Sequence, residues 1–489
     1  MSGTGRRLSI SPIKSCNYQR NGFIASIKFA SLIIMDYHSV AALAIFIVTL
    51  FLMIKRPRGI SLGLAAGVGA ASSLLFGTVT LNDAASAFAD IWDAALAFIG
   101  IVTLSVTLDA MGFFKWAAIK IVKLAGGSGL KLYFYVSLLT AFVSILFAND
   151  SAVLILTPIV LEIISQLKID AKGRLAYLFS AGLIADTAAM PLITSNPINI
   201  VSADFFKYSF IDHLMFMGPV AAATIISSLL LVYAFFRKKI PKSYSMEFVE
   251  ALNAGGQLIT TSLLKVSIAT LIAIDIGYVL SSLNRIPVSI VICIGALFLL
   301  GVYVATLNKS SMLEEERKGV KGIVKEVNWD ILLFMISIFL VVQGLRHTGA
   351  VGFFAYLFIK ALVLPQFLSV LAPSIIVTIG ASLMNNWPMT ILGLLSIKQA
   401  ANSVNLNAQS LTSLVFSNII GNNLGPHFFP LGSLAILMWL ETMRRKGVTI
   451  KLKDYLKVGS VLSILEVTVA SLVLWLELNF LNFNLNIQL

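Results

Sequence analysis

The chain has 489 residues, 58% of them hydrophobic and 12% charged, with a mean hydropathy of +0.91. Soluble domains carry roughly 25% charged residues, so half that share excludes an ordinary soluble globular fold. The formal charge of +13 does not indicate nucleic acid, because the Lys and Arg residues fall almost wholly in loops between apolar runs, where basic charge is an orientation signal.

Residues 1–34 hold five basic and no acidic residues. The stretch reads as a transit peptide or, preferred here, as an over-called start ahead of a true first residue at Met35. Apolar segments follow at 37–54, 59–77 and 92–111. About 20 residues of helix cross a hydrocarbon layer, and none of these runs shows the alternation of a barrel strand. The stretch 130–168 is broken at its middle by Asn149-Asp150, which predicts a re-entrant helical hairpin. An interrupted crossing over 173–205 and a continuous one over 214–236 complete the first half.

A polar linker over 237–263 leads to crossings at 264–283 and 287–307, a charged loop at 308–328 and a crossing at 329–346. A second broken stretch, 368–400, carries Asn385-Asn386 at its middle. It precedes an interrupted crossing over 409–440 and a last crossing over 456–477. The polar pairs repeat with a shift of 236 residues: Asn149-Asp150 with Asn385-Asn386, and Asp186-Thr187 with Asn422-Asn423. Trp92-Asp93 and Trp329-Asp330 open helices ending in Gly112-Phe113-Phe114 and Gly352-Phe353-Phe354, a third echo. The expected fold is an all-α polytopic membrane protein of two five-helix repeats, each with a re-entrant hairpin and an interrupted helix. The first repeat spans 35–236 and the second 264–489. Five crossings per repeat is odd, so the repeats are inverted.

Loops at 55–58, 115–131, 168–174, 237–265, 309–325 and 444–457 hold 26 Lys and Arg residues, against five in the opposite set. That asymmetry places the first set in the cytoplasm and both termini outside. The first hairpin then enters from the cytoplasm and the second from outside.

Polar groups in hydrocarbon are costly and mark substrate or ion pathways, and duplicated interrupted helices point to a transporter site between repeats. Four polar clusters are expected to meet near the midplane: the two hairpin tips and the unwound segments 187–197 and 421–433. Pro191, Pro197, Gly425, Pro426, Pro430 and Gly432 supply the breaks. The freed helix ends, with the amides of Asn149, Asn196, Asn385, Asn386, Asn422 and Asn423, make a pocket that donates and accepts. Thr187, Ser195 and Ser433 add hydroxyls. A Pro-kinked helix with Asn gluing its neighbours explains one cluster alone; four at matched spacing point to a site.

Asp150 and Asp186 are its ionisable members. Their second-half counterparts at this shift are Asn386 and Asn422, so all core carboxylates come from one half. Burial disfavours a charged carboxyl, which suits both residues to proton coupling; a carboxylate held ionised for structure is the alternative. His427, Asp275, Glu466 and Asp109 are weaker candidates, each either a proton-pathway residue or a buried structural group. No zinc-ligand spacing or phosphate-binding loop is present, so neither a metal, a cofactor nor an enzymatic activity is expected.

FANDSAVLILTPIV, IADTAAMPLITSNPINIVSADFF, the Asn-Asn of MNNWPMTILG and GNNLGPHFFPLGSLAILMWL closely resemble the ArsB family of arsenite efflux permeases. That family lies within the ion transporter superfamily, and the resemblance runs from about Met35 to the last helix. Pro197 and Ala189 depart modestly from its pattern. The resemblance implies a plasma- or inner-membrane exporter of arsenite and antimonite, driven by the proton gradient or membrane potential, with a soluble arsenite-stimulated ATPase subunit in some members. It carries onto Asn149, Asp150, Asp186, Thr187, Ser195, Asn196, Asn385, Asn386, Asn422, Asn423, Gly432 and Ser433. Spacing leaves open a sodium/proton antiporter or another anion carrier on the same scaffold, and, in a different class, an ion channel.

Overall fold

The computed structural model describes residues 36–245, 247, 259–284, 286–306, 319–481 and 485. Residues 1–34, Met35, and parts of the linker and the charged loop lie outside that set. Among the described residues the architecture is helical, with one isolated β-bridge between Ser128 and Ser243. Eight helices are long and apolar enough to cross a membrane. The protein is an all-α, multi-pass membrane fold.

The first half runs α1 (Tyr37–Lys55), α2 (Leu62–Leu75), α3 (Leu81–Ala110), α4 (Phe113–Ala125), α5 (Gly129–Gln166), α6 (Ala171–Thr187), α7 (Pro197–Phe206) and α8 (Phe210–Phe236). The second runs α9 (Thr261–Asn284), α10 (Val288–Thr306), α11 (Val320–Glu326), α12 (Trp329–Gly344), α13 (Ala350–Leu362), α14 (Leu368–Met384), α15 (Asn386–Val404), α16 (Ala408–Leu424), α17 (Leu434–Arg445) and α18 (Leu452–Leu476). The crossing expected to open at Trp92 begins eleven residues earlier, at Leu81. Thr80 and Asp83 form a reciprocal capping box there, which satisfies the first free N–H groups and sets the start.

Burial sorts the helices into two kinds. On α9 and α10 the apolar side chains Ile272, Ile276, Leu283, Ile294 and Leu297 are exposed, as a lipid-facing surface requires. Residues 176–187 of α6 and 411–424 of α16 are buried all round, which marks both as central. Gly182 shows how closely that centre is packed: a β-carbon there would overlap the indole of the fully buried Trp439. Gly182→Ala is therefore expected to cost about 1–3 kcal/mol through overpacking, read as a lowered melting temperature in detergent.

Backbone geometry fixes the repeat register at 237 residues, one more than the polar pairs suggest. α4 and α13 match at both ends with this offset, as do α6 and α16. Gly112 (φ 82°) and Gly349 (φ 77°) are both left-handed residues that start the next helix, a conformation glycine adopts without steric cost. Gly349, and not Gly352, is thus the counterpart of Gly112. The hairpin breaks agree. Ala148 (φ 63°, ψ 155°) and Asn385 (φ 82°, ψ 151°) share one unusual conformation, and after Asn385 the chain packs α15 back on α14.

The Trp-Asp landmarks prove to be struts between halves. Asp93 accepts from the Ser289 N–H at 3.2 Å, at the start of α10. Asp330 accepts from the Gly63 N–H at 3.1 Å and from the Ser61 hydroxyl, at the start of α2. A carboxylate at a helix N-terminus is favoured by its free N–H groups. Correspondingly α3 packs on α10, α12 on α2, and α8 on its counterpart α18.

Candidate functional site

Each central helix stops inside the bundle. α6 ends at Thr187, a short 3-10 turn covers Ile193–Ser195, and Pro197 starts α7 with Asn196 as its cap. In the second half α16 ends at Leu424, turns follow at Gly425–His427 and Pro430–Gly432, and Ser433 caps α17. Gly432 is required by close approach: a β-carbon would sit 2.7 Å from the Pro426 Cα and 3.1 Å from the Ala381 carbonyl oxygen. Ala148 and Asn385 hold dihedrals close to a region essentially reserved for glycine. Such residues cost about 1–3 kcal/mol each and concentrate at functional sites.

Asp186 joins three of these segments. Its Oδ1 accepts from Asn149 Nδ2 at 2.6 Å and from the Ser433 hydroxyl at 3.1 Å. Its Oδ2 has no hydrogen-bond partner and lies 3.7 Å from His427 Nε2, which has none either. Across the imidazole, His427 Nδ1 meets Glu466 Oε2 at 2.6 Å. Glu466 Oε1 accepts from Thr187 at 2.5 Å and from the Ser228 hydroxyl. Two hydroxyls aimed at one carboxylate mark it as the acceptor and His427 Nδ1 as the donor. In a neutral ring Nε2 is then an acceptor, facing the acceptor Asp186 Oδ2. That contact is favourable only with a proton on one of the two groups.

A second network lies beside the first. Asn196 Nδ2 donates to Asn423 Oδ1 at 3.0 Å, and Asn423 Nδ2 donates to Asn199 Oδ1 at 3.1 Å. At a 237-residue offset, Asp186–Ser433 and Asn423–Asn196 are the same contact made in the two directions. Asp186 therefore corresponds to Asn423, and Asp150 to Trp387, in place of the pairing of Asp186 with Asn422 and Asp150 with Asn386. Asn422 donates to the Asn418 carbonyl at 2.8 Å and to its side chain at 3.0 Å. The Oδ1 atoms of Asn386 and Asn422 are buried without a hydrogen-bond partner. Asn385 donates to the Leu431 carbonyl at 3.1 Å, and Ser195 to the Ile145 carbonyl at 2.7 Å. Both bonds tie a hairpin tip to the broken helix of its own half.

Asp150 stands apart from this set. Its neighbour Asn149 turns to Asp186, whereas Asp150 lines a cavity of about 390 Å³ with Asp109, Ser151, Pro158, Glu326 and Asn328. Glu466 corrects the expectation that all core carboxylates come from the first half, since α18 supplies one. His427 and Glu466 were visible as polar residues in apolar surroundings, but their pairing was not. Asn199 was passed over, although it lies three residues beyond Asn196 on the same turn. Ser228 carried no signal at all.

Comparisons with known proteins bear on the identity. Residues 41–476 match the family model described as ArsB, arsenical pump membrane protein. An arsenical pump membrane protein of Escherichia coli is 35% identical over 437 residues, covering 89% of this chain and 98% of that protein. A putative arsenical pump membrane protein of Bacillus subtilis is 25% identical, covering 89% and 99%. Among solved structures, the Alcanivorax borkumensis YdaH transporter superposes with a TM-score of 0.51 at 14% identity, over 81% of this chain and 87% of that one. That likeness concerns the fold alone, and it is to a transporter of unusual topology. With a family match over most of its length and relatives covered almost end to end, this chain belongs to the ArsB family of membrane transporters.

Proposed function

We propose that this protein exports arsenite, and antimonite with it, by alternating access coupled to proton uptake. The observation that carries the reading is the set of buried, unpartnered acceptors at the helix breaks: Asp186 Oδ2, Asn386 Oδ1 and Asn422 Oδ1. Arsenous acid is a small uncharged trihydroxide at neutral pH, and its three O–H donors suit an acceptor-rich pocket. No cysteine stands in the hairpin tips or helix breaks; Cys293 lies on α10, its sulfur against the Leu96 carbonyl. A thiolate trap would hold As(III) too firmly for turnover, whereas several weak hydrogen bonds let it leave.

The proton step follows from the contact between Asp186 and His427. One proton resides there, and substrate binding at Asp186 displaces it. The Lys and Arg distribution puts the Asp109, Glu326 and Asn328 end of the cavity at the cytoplasm, so this state faces inward and opens toward Asp150. The two halves act as inverted repeats with both termini outside. The hairpins and broken helices move as one body against α1–α3 and α9–α12.

Everted vesicles from cells lacking their own exporter test this. Uptake of arsenite that rises with an imposed proton gradient and is unaffected by sodium is the expected result. Sodium-for-proton exchange without arsenite uptake would assign the antiporter reading, and single-channel conductance without coupling would assign a channel. Gly432→Ala should reduce transport about tenfold at normal membrane abundance, because a methyl group pushed against the Pro426 backbone displaces the break.

A further inference from the structure

The 237-residue register makes Asp93 on α3 the counterpart of Asp330 on α12, and Asp204 on α7 the counterpart of Glu441 on α17. The equivalent helix pairs are not packed alike. α7 lies along α3, and there the Asp93 and Asp204 carboxyls face each other within hydrogen-bonding reach. α17 makes no comparable contact with α12. At that end Asp330 turns to Ser61 and Gly63. Glu441 pairs instead with Arg444 at 2.8 Å and Arg445 at 2.9 Å. The parted pair lies at the end where Glu326 and Asn328, just ahead of α12, line the open cavity. One acidic pair is engaged where the fold is closed, and its equivalent is apart where the fold is open.

Two carboxyl groups at hydrogen-bond range do not both ionise, because like charges at that distance disfavour it. The contact needs one shared proton. The fully buried Ser289 hydroxyl, with no hydrogen-bond partner of its own, points at Asp93 as a further donor. Asp90 on α3, Lys207 and Tyr208 just after α7, Tyr278 on α9 and Cys293 on α10 also face this pair, and Lys398 and Arg346 face Asp90. Lys207 is exposed, so it moderates the pair without replacing the proton.

We propose that Asp93–Asp204 and Asp330–Glu441 are alternating proton-carrying latches. The first closes one face of the transporter in the state seen here, and the second closes the opposite face in the alternate state. Each takes up one proton as it closes and releases it on parting. The proposal rests on the alternating-access reading but not on the choice of arsenite as substrate.

Paired spin labels in lipid nanodiscs, without arsenite and with both cysteines replaced by serine, test it. One pair is Phe88→Cys with Leu214→Cys, across the closed face; the other is Lys321→Cys with Lys446→Cys, across the open one. Raising the pH should lengthen the first distance, because loss of the shared proton leaves two carboxylates in contact. Asp204→Asn supplies a permanent amide donor, so it should hold the first latch shut at every pH. The expected shift is roughly tenfold in the ratio of the two distance populations, the worth of one charge-assisted hydrogen bond. Glu441→Gln should shift the same ratio in the opposite direction, and Asp204→Glu should restore the pH response. Distances indifferent to pH, or a shift of the same sign in both amide variants, would overturn the latches.

Discussion

Asp186→Asn should leave a correctly folded, membrane-inserted protein whose arsenite export falls about 100-fold or more and no longer follows pH. The geometry explains why stability survives while transport does not. Asparagine keeps an oxygen for the bonds from Asn149 and Ser433, and turns its amide N–H₂ toward His427 Nε2. It therefore reproduces the network with its proton in place, but that proton cannot leave. Losing a positioned proton-transfer group typically costs a factor of about 100 to 10,000. Export by the variant in exporter-deficient cells, measured against imposed pH gradients and normalised to protein in the membrane, checks the claim. Full export with an intact pH response would remove Asp186 from the coupling mechanism.

Glu466 should separate structure from transport more sharply, through two substitutions. Glu466→Leu removes the acceptor of Thr187, Ser228 and His427 at once, in a place with no exposure to solvent. Breaking a buried pair from one side commonly costs about 3–5 kcal/mol, so this variant should melt at a clearly lower temperature or fail to accumulate. Glu466→Gln keeps an acceptor for the two hydroxyls. It should fold, bind arsenite and still lose most pH dependence of export, because the carboxylate that holds His427 in one tautomer is gone. If Glu466→Gln transports normally across the pH range while Glu466→Leu unfolds, the residue is structural only.

The helix breaks were legible before any coordinates because they are local. Proline removes a donor within its own turn, and a polar pair in an apolar run is conspicuous wherever the chain goes. The repeat was legible too, but its register slipped by one residue. Chemically similar pairs invite alignment of Asn149-Asp150 with Asn385-Asn386, whereas the backbone aligns the bends at Ala148 and Asn385. A bend is set by dihedral angles that hydrogen-bonding neighbours enforce, and alanine gives no hint of standing in a conformation suited to glycine. The Glu466–His427–Asp186 chain was out of reach for another reason. Thr187 and Glu466 are separated by 279 positions, and helical periodicity says nothing about contacts across such a span.

The sequence by itself determined that this is a helical membrane protein with two matched sets of interrupted segments. In hydrocarbon each helix must satisfy its backbone internally, so every span and break is written in its own stretch of residues. Tertiary structure alone decided which polar groups meet, that the second half contributes a carboxylate, and that one face is closed while the other is open. Those are outcomes of packing between distant helices, where several arrangements satisfy the same local pattern and only the sum of contacts selects one.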